Sequence, residues 1–274
     1  MQTQEWTKFW HNAQLDIRLL HAYYVQHAYP RHSHDYYVIT LIESGRQSFT
    51  HMGTKYQTSP SGIILINPGA VHTGEAVDEQ GFVMRSLYPT ISQMEMAALE
   101  LTGQHKSLPF FKEVRIDHPW AMKGILSLHK ALVEEASTLE SESRFLWTLA
   151  QLIKRYADFS PSEKRLGKEQ GAIQKAQRYI DERFAQGISL NELAQYVALS
   201  PYYLLRAFRA EVGMPPYAYL ESVRVREAQH LIESGKPLAE VATRVGFSSQ
   251  SHMTNRFKQI IGTTPGQYAQ SVRN

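Results

Sequence analysis

The last third of the chain carries apolar residues at helical spacing. Four of them fall at i, i+3, i+4 and i+7 and form one face of a short helix: Leu238, Val241, Ala242 and Val245. Gly246 follows and predicts a chain reversal, because glycine adopts the left-handed backbone at no steric cost. Residues 249–261 predict a second helix with polar side chains outside and four apolar ones inside, Met253, Phe257, Ile260 and Ile261. The pattern predicts a helix, a tight turn and a helix.

The same pattern occurs earlier in the chain and indicates an internal repeat. Five residues lie 48 positions before Leu238, Val241, Ala242, Val245 and Ser248, namely Leu190, Leu193, Ala194, Val197 and Ser200. Phe208 and Pro216 precede Phe257 and Pro265 by 49 positions. Two unrelated helical hairpins would not share these positions, so we predict two helix-turn-helix units, with outer helices at about 200–212 and 249–261. One long helix, 216–233, joins them.

The first third of the sequence predicts strands. Short β-branched or aromatic runs occur at 36–42, 47–49, 62–66 and 81–88, and turn-forming Ser, Pro, Asn and Gly separate them. Many short strands with such turns predict a sandwich or a small barrel. A short helix follows within 91–107, and two longer ones follow at 120–135 and 142–156. Residues 161–170 have the charged, apolar-poor composition of a linker.

These motifs resemble a known family. The second copy of the repeat, GFSSQSHMTNRFKQIIGTTPGQY, resembles the DNA-binding domain of AraC/XylS-type transcriptional regulators. The stretches PRHSHDYYVITLIESGRQSF and PSGIILINPGAVHTG resemble the cupin-type sensor domain that precedes it in that family. The resemblance implies an α+β two-domain fold, with an N-terminal cupin-like β-barrel followed by helices and a C-terminal all-α double helix-turn-helix. The expected segments are a sensor at 1–110, a helical connector at 111–160, a linker at 161–170 and a DNA-binding domain at 171–274.

The charge distribution agrees with a DNA-binding C-terminal domain. Residues 164–274 hold fifteen Lys/Arg against nine Asp/Glu, whereas residues 1–110 hold seven against nine. A basic C-terminal third of the chain is suited to binding a polyanion. Amides, hydroxyls and cations on the two outer helices suit base edges and phosphates. The expected DNA contacts are Tyr202, Tyr203, Arg206, Arg209, Gln250, Ser251, Thr254, Asn255, Arg256 and Lys258.

Eight of the twelve histidines lie before residue 110, which indicates a polar site in the predicted barrel. A small polar or anionic effector is expected to contact His32, His34, Tyr37, Arg46, His72, Arg85 and Tyr88. Each of these residues has a purely structural alternative, above all Arg46, Arg85 and Tyr88.

A metal site is the alternative reading of the histidines. His32, His34 and His72 offer three imidazoles for Zn²⁺ or Fe²⁺. Catalytic cupins usually add a glutamate a few residues after the second histidine, but here Glu43 comes only at the end of the next strand. We therefore expect no bound metal or other cofactor and no enzymatic activity. A metal-dependent cupin enzyme with an accessory basic domain is the alternative function.

Partners and location follow from composition and from the resemblance. The absence of cysteine fits a reducing cytoplasm, and no apolar run of signal-peptide or membrane-span length is present. The resemblance implies a bacterial-type, ligand-responsive activator that binds double-stranded promoter DNA, acts with RNA polymerase and forms a homodimer. In such relatives the middle helices contribute to dimerisation. The stripe of Ile125, Leu128 and Leu132 is therefore either intramolecular core or a self-association surface.

Overall fold

The computed structural model describes residues 4–103, 108–134, 136–158, 169–261 and 263–271. The chain forms two compact units: Met1–Glu134 with Arg144–Lys164, and Glu135–Ser143 with Arg165–Asn274. Most of the predicted connector, 111–160, belongs to the first unit. The predicted linker at 161–170 lies outside the described residues except for its last two positions. No helix of the described ranges has both the length and the apolar composition to cross a membrane.

The first unit is built mainly from antiparallel strands. They are β1 (Trp6–Asn12), β2 (Ile17–Tyr24), β3 (Tyr29–His32), β4 (Val38–Gly45), β5 (Gln47–His51), β6 (Thr54–Thr58), β7 (Ile63–Ile66), β8 (His72–Ala76), β9 (Phe82–Tyr88) and β10 (Arg115–Ile116). One sheet has the order β1-β2-β9-β4-β7-β10, and the other has the order β3-β8-β5-β6. Side chains of both sheets share one core, to which β2 contributes Leu20 and β5 contributes Phe49. This arrangement confirms the predicted fold class for the N-terminal domain.

Three helices follow the strands: α1 (Ile91–Thr102), α2 (Pro119–Val133) and α3 (Thr138–Tyr156). Helix α2 packs on β1, β4 and β9. It therefore covers the outer face of β4, which explains why Ile39 and Leu41 are as buried as the inward-facing Ile42. A strand covered on both faces reads as a continuous apolar run instead of an alternating one.

The apolar stripe of α2 belongs to this intramolecular core. Ile125 and Leu128 are fully buried and Leu132 is 5% exposed. A surface for self-association must be accessible in the single chain. The alternative of dimerisation through these three residues is therefore corrected: they are core residues of the first unit.

The second unit is helical, apart from connecting turns. Its helices are α4 (Gln170–Arg183), α5 (Leu190–Tyr196), α6 (Pro201–Val212), α7 (Pro216–Glu233), α8 (Leu238–Arg244), α9 (Gln250–Ile261) and α10 (Pro265–Ser271). The pairs α5–α6 and α8–α9 are the two predicted helix-turn-helix units, and α7 is the predicted joining helix. Val241, Met253 and Phe257 of the second pair are buried in a core shared with α7. Ile260, expected inside, is 44% exposed near the end of α9.

The turns of the two copies adopt the same backbone conformation with different residues. Gly246 has φ 82°, and a Cβ atom built there would lie 2.6 Å from the Ala185 carbonyl oxygen. Its counterpart 48 positions earlier, Ala198, has φ 54°. The left-handed conformation thus recurs, but the first copy bears the steric cost of an alanine in that region.

Candidate functional site

Helix α9 presents a polar face. Ser249 caps its start, because its hydroxyl accepts a hydrogen bond from the His252 amide at 3.1 Å. Met253 and Phe257 anchor the opposite face in the core. Gln250, Ser251, Asn255 and Lys258 are exposed and Thr254 is partly exposed, so the structure brings these five predicted contacts onto one face.

Arg256 is placed differently from these five residues. Its Nη2 atom lies 2.8 Å from Glu140 Oε2, and its Nε atom lies 2.8 Å from Glu221 Oε1. The two glutamate side chains are 1% and 8% exposed, against 22% for the arginine. A guanidinium held between two buried carboxylates is not available to a phosphate, and its loss would leave both carboxylates buried. The prediction that Arg256 contacts DNA is therefore corrected.

Helix α6 presents a smaller polar face than the sequence suggested. Ser200 caps the helix by accepting a hydrogen bond from the Tyr203 amide at 3.4 Å. The side chains of Tyr202 and Tyr203 point inward and are 2% and 6% exposed. Arg206 is partly exposed, with its guanidinium carbon 5.9 Å from the centre of the Tyr202 ring, and Arg209 is exposed. Both tyrosines are therefore corrected from groove contacts to core residues, and the two arginines remain on the surface.

The barrel of the first unit contains a partly open cavity of about 280 Å³ between its two sheets. Its lining combines apolar walls with hydroxyl, amide and imidazole groups. The lining residues are Phe9, Arg18, Tyr29, His32, His34, Tyr36, Val38, Thr40, Gln47, Phe49, Ile64, Ile66, His72, Thr73, Met84, Ser86 and Tyr88. Apolar walls with a few converging polar groups are typical of a small-molecule site. A larger depression beside Glu5 and Asp78 is lined by partly or fully exposed residues and lacks this convergence.

Four predicted effector contacts line this cavity, namely His32, His34, His72 and Tyr88. Tyr37 lies directly before β4 and does not line the cavity, although its neighbours Tyr36 and Val38 do. The Tyr37 hydroxyl instead donates a hydrogen bond to the Pro109 carbonyl at 2.6 Å, and the ring is 1% exposed. Arg46 lies on the outer surface, where it pairs with Asp78 at 2.8 Å. The predictions for Tyr37 and Arg46 are therefore corrected.

The prediction for Arg85 is also corrected, for a geometric reason. Ser86 and Tyr88 point from β9 into the cavity, so Arg85 points to the opposite face. There its Nε atom donates to Glu43 at 2.8 Å, and its Nη1 atom donates to Nδ1 of His129 on α2 at 3.1 Å. Glu43, the glutamate considered above as a metal ligand, is thus bound to an arginine on the outer face of the sheet.

The three histidines that the sequence singled out do converge. One nitrogen from each of His32, His34 and His72 lies within 4.8 Å of the other two. Burial lowers the pKa of His72 to about 4, and it also lowers the pKa of His34. Both imidazoles are therefore neutral at pH 7, which is the form that binds a metal or accepts a hydrogen bond.

The sequence did not reveal several further polar residues of the cavity, among them Arg18 and Gln47. Among the described residues that line the cavity, Arg18 is the only lysine or arginine. Gln47 is 6% exposed, and its Oε1 atom accepts no hydrogen bond from the residues that the structure describes. Alternation within β2 and β5 would have indicated that both residues share a face with core residues, but β2 was not predicted as a strand.

Comparison with known proteins gives the class of the molecule. A model for a helix-turn-helix domain matches residues 193–271, and a model for an AraC-like ligand binding domain matches residues 14–149. The chain is 32% identical over 231 residues to YbfI of Bacillus subtilis, an uncharacterized HTH-type transcriptional regulator, with 84% of this chain and 82% of YbfI covered. It is 24% identical over 249 residues to RhaS of Klebsiella pneumoniae, an HTH-type transcriptional activator, with 88% and 87% covered.

Among solved structures, the C-terminal domain of AraT, a response regulator from Geobacillus stearothermophilus, matches with 31% identity and a TM-score of 0.36. The match covers 39% of this chain and 88% of that one. Together, the two domains and the relatives define a ligand-responsive, DNA-binding transcriptional regulator. The chain belongs to the AraC family. The enzyme alternative is not supported, because both domains and the relatives are those of a regulator.

Proposed function

We propose that the chain binds promoter DNA by placing α6 and α9 in successive segments of the major groove. The observation that carries this proposal is the exposed polar face of α9, opposite a fully buried Met253 and Phe257. In helix-turn-helix docking, the second helix of each unit enters the groove with its N-terminal part near the bases. The proposed contacts are Arg206 and Arg209 on α6, and Gln250, Ser251, Thr254, Asn255 and Lys258 on α9.

The side-chain chemistry assigns separate tasks to these contacts. Asn255 can pair with adenine through its amide, and Arg206 can donate two hydrogen bonds to guanine. Each such contact discriminates between bases by roughly 1–3 kcal/mol. Lys258 lies two turns beyond Gln250 and carries a point charge, so it suits a phosphate. Tyr202, Tyr203 and Arg256 support these helices from inside the unit.

We further propose that the barrel cavity binds the effector. Among its lining residues in the described ranges, none is Asp or Glu, and Arg18 adds a positive charge. A lining with one arginine and without a carboxylate favours a neutral or anionic ligand over a cationic organic one. The buried Gln47 Oε1 atom offers an acceptor to a ligand hydroxyl or amine. A small polar molecule with an apolar face fits these walls.

We propose that the chain activates transcription in the cytoplasm as a homodimer that acts with RNA polymerase. The similarity to RhaS, whose name describes an activator, supports the direction of regulation. Two chains on adjacent DNA sites gain affinity through their linkage, which favours a dimer.

A binding titration tests the DNA part. The full chain is titrated into a labelled fragment of its own upstream DNA, and anisotropy is compared for wild type, Asn255→Ala and Lys258→Ala. Asn255→Ala should change the preference at one base position. Lys258→Ala should weaken binding to every sequence alike. Wild-type affinity and preference in both variants would contradict the proposal.

Effector binding is tested on the same DNA with a panel of small anionic and neutral metabolites. A ligand changes DNA affinity only as far as it binds the two states of the regulator differently. Tyr88→Phe and Gln47→Leu should reduce the effector-dependent change in affinity. Arg46→Ala is the matched control, because Arg46 lies on the outer surface with Asp78. An equal reduction by all three variants would contradict the cavity assignment.

A further inference from the structure

Three histidines meet where strands β3 and β8 of the four-stranded sheet adjoin the cavity. His32 on β3 pairs directly with His72 on β8 in the strand register, so their side chains share a face. His34 follows β3, and its ring centre lies 4.7 Å from that of His32 and 5.3 Å from that of His72. Three imidazoles therefore face one point, although they lie on two separate stretches of the chain.

The hydrogen bonds of two of these rings fix which nitrogen is available. The Nδ1 atom of His72 lies 2.9 Å from the Ala70 carbonyl oxygen, and that of His32 lies 2.7 Å from the Pro30 carbonyl oxygen. A carbonyl only accepts, so Nδ1 carries the proton in both rings. Nε2 then keeps its lone pair. A backbone carbonyl behind a metal-binding imidazole orients the ring and fixes its tautomer in this way.

A fourth histidine extends the same row. His51 on β5 is the strand partner of His72 on the side away from β3. It is 7% exposed, and its Nε2 atom makes no hydrogen bond within the described part of the chain. A buried polar nitrogen without a partner is costly. The row thus includes an imidazole nitrogen that the described part of the protein leaves without a hydrogen bond.

Against the expectation drawn from the missing glutamate, we propose that His32, His34 and His72 bind one divalent transition-metal ion, with an open coordination position toward the cavity. Bonds of about 2.0–2.1 Å to three imidazoles in a tetrahedral arrangement put the nitrogens roughly 3.3 Å apart. The three nitrogens lie within 4.8 Å of one another in the structure, and small side-chain rotations would bring them to this spacing. An all-nitrogen site suits Zn²⁺, Co²⁺, Ni²⁺ or Cu²⁺, whereas Mg²⁺ and Ca²⁺ require oxygen ligands.

The open position gives the metal a role in effector binding, and this role rests on the proposed function. The hydroxyls of Thr40, Ser86 and Tyr88 line the same cavity. An effector with an oxygen donor, such as a carboxylate, can bind the metal while its remaining atoms contact these walls. Metal binding itself is tested without DNA or effector.

Calorimetry on the full chain tests the site. Chelator-treated protein is titrated with Zn²⁺, with Mg²⁺ as the negative control, and Co²⁺ is added to a second sample for absorption spectroscopy. We expect one Zn²⁺ per chain, no Mg²⁺ binding and the intense ligand-field bands of four- or five-coordinate Co²⁺. His72→Gln and His34→Gln should each weaken Zn²⁺ binding at least about tenfold.

The matched control is His230→Gln, because that side chain lies in the second unit and is 65% exposed. It should bind Zn²⁺ like the wild type. If His72→Gln does not fold, as judged by circular dichroism, the more exposed His34→Gln decides. The absence of Zn²⁺ binding, or equal binding by His34→Gln and wild type, overturns the inference. DNA binding by the same metal-free preparations leaves the proposed function intact in that case.

Discussion

Helix α9 carries two cations with different proposed roles: Arg256 is structural, and Lys258 contacts DNA. Replacing Arg256 with methionine removes the guanidinium that lies between the buried carboxylates of Glu140 and Glu221. Removing one partner of a buried ion pair costs roughly 3–5 kcal/mol, because the remaining charge stays desolvated. Since the Arg256 side chain is 22% exposed, we expect the lower end, about 3 kcal/mol. Lys258→Met is the matched control, and its exposed site should change the stability by less than about 0.5 kcal/mol.

Two measurements separate the variants. Urea denaturation of the full chain, followed by circular dichroism, should show the loss for Arg256→Met and not for Lys258→Met. Adding Glu140→Gln to Arg256→Met should restore part of the stability, because it removes one of the two buried carboxylate charges that Arg256 contacts.

DNA affinity measured against salt concentration gives the second comparison. Lys258→Met should reduce the salt slope by about 0.9, the value of one phosphate contact, under conditions where the protein is folded. Arg256→Met should leave this slope unchanged. If Arg256→Met keeps wild-type stability and reduces the salt slope as Lys258→Met does, Arg256 is a DNA contact and not a structural residue.

Three further predictions concern the fold. Gly246→Ala should destabilise the second unit by more than about 1 kcal/mol, since φ is 82° and the added Cβ meets a backbone oxygen. Ala198→Gly should stabilise the same unit by up to about 1 kcal/mol, and thermal melts compare the two variants. Ile125→Ala should cost about 2–5 kcal/mol in urea denaturation and leave the oligomeric state in ultracentrifugation unchanged, because the residue is core. Burial lowers the pKa of His129 to about 4, so the unfolded chain binds the proton first and stability should fall below pH 6.5, by up to about 1.4 kcal/mol per pH unit. His129→Gln should flatten this dependence in melts at pH 7, 6 and 5, and an unchanged dependence would contradict it.

Local patterns in the sequence determined most of the helical unit. The turn glycine, the cap residues and the i, i+4 stripes act within a few positions, so α5 to α9 could be predicted from the sequence. The orientation of Tyr202 and Tyr203 could not, because an aromatic ring suits a core and a groove equally well. The partners of Arg256 were also hidden, since Glu140 lies 116 positions earlier, in the first turn of α3.

The barrel was harder to predict than the helices. Strand β1 has the sequence WTKFWHN and is mostly exposed, so it lacks the apolar alternation that marks a strand. The histidine cluster could be proposed from the motif alone, but its partner His51 depends on the pairing of β5 with β8. The sequence does not fix which face Arg85 occupies, because a shift of one residue moves a side chain to the other face of its strand.

Footprinting on DNA shows whether α6 and α9 each contact a segment of one DNA face. Hydroxyl-radical footprints of the wild-type chain on its upstream DNA should show two protected segments about one helical turn apart, roughly 10 base pairs. Asn255→Ala should weaken one protected segment and Arg206→Ala the other. A single protected segment, or the same segment weakened by both variants, would contradict the account.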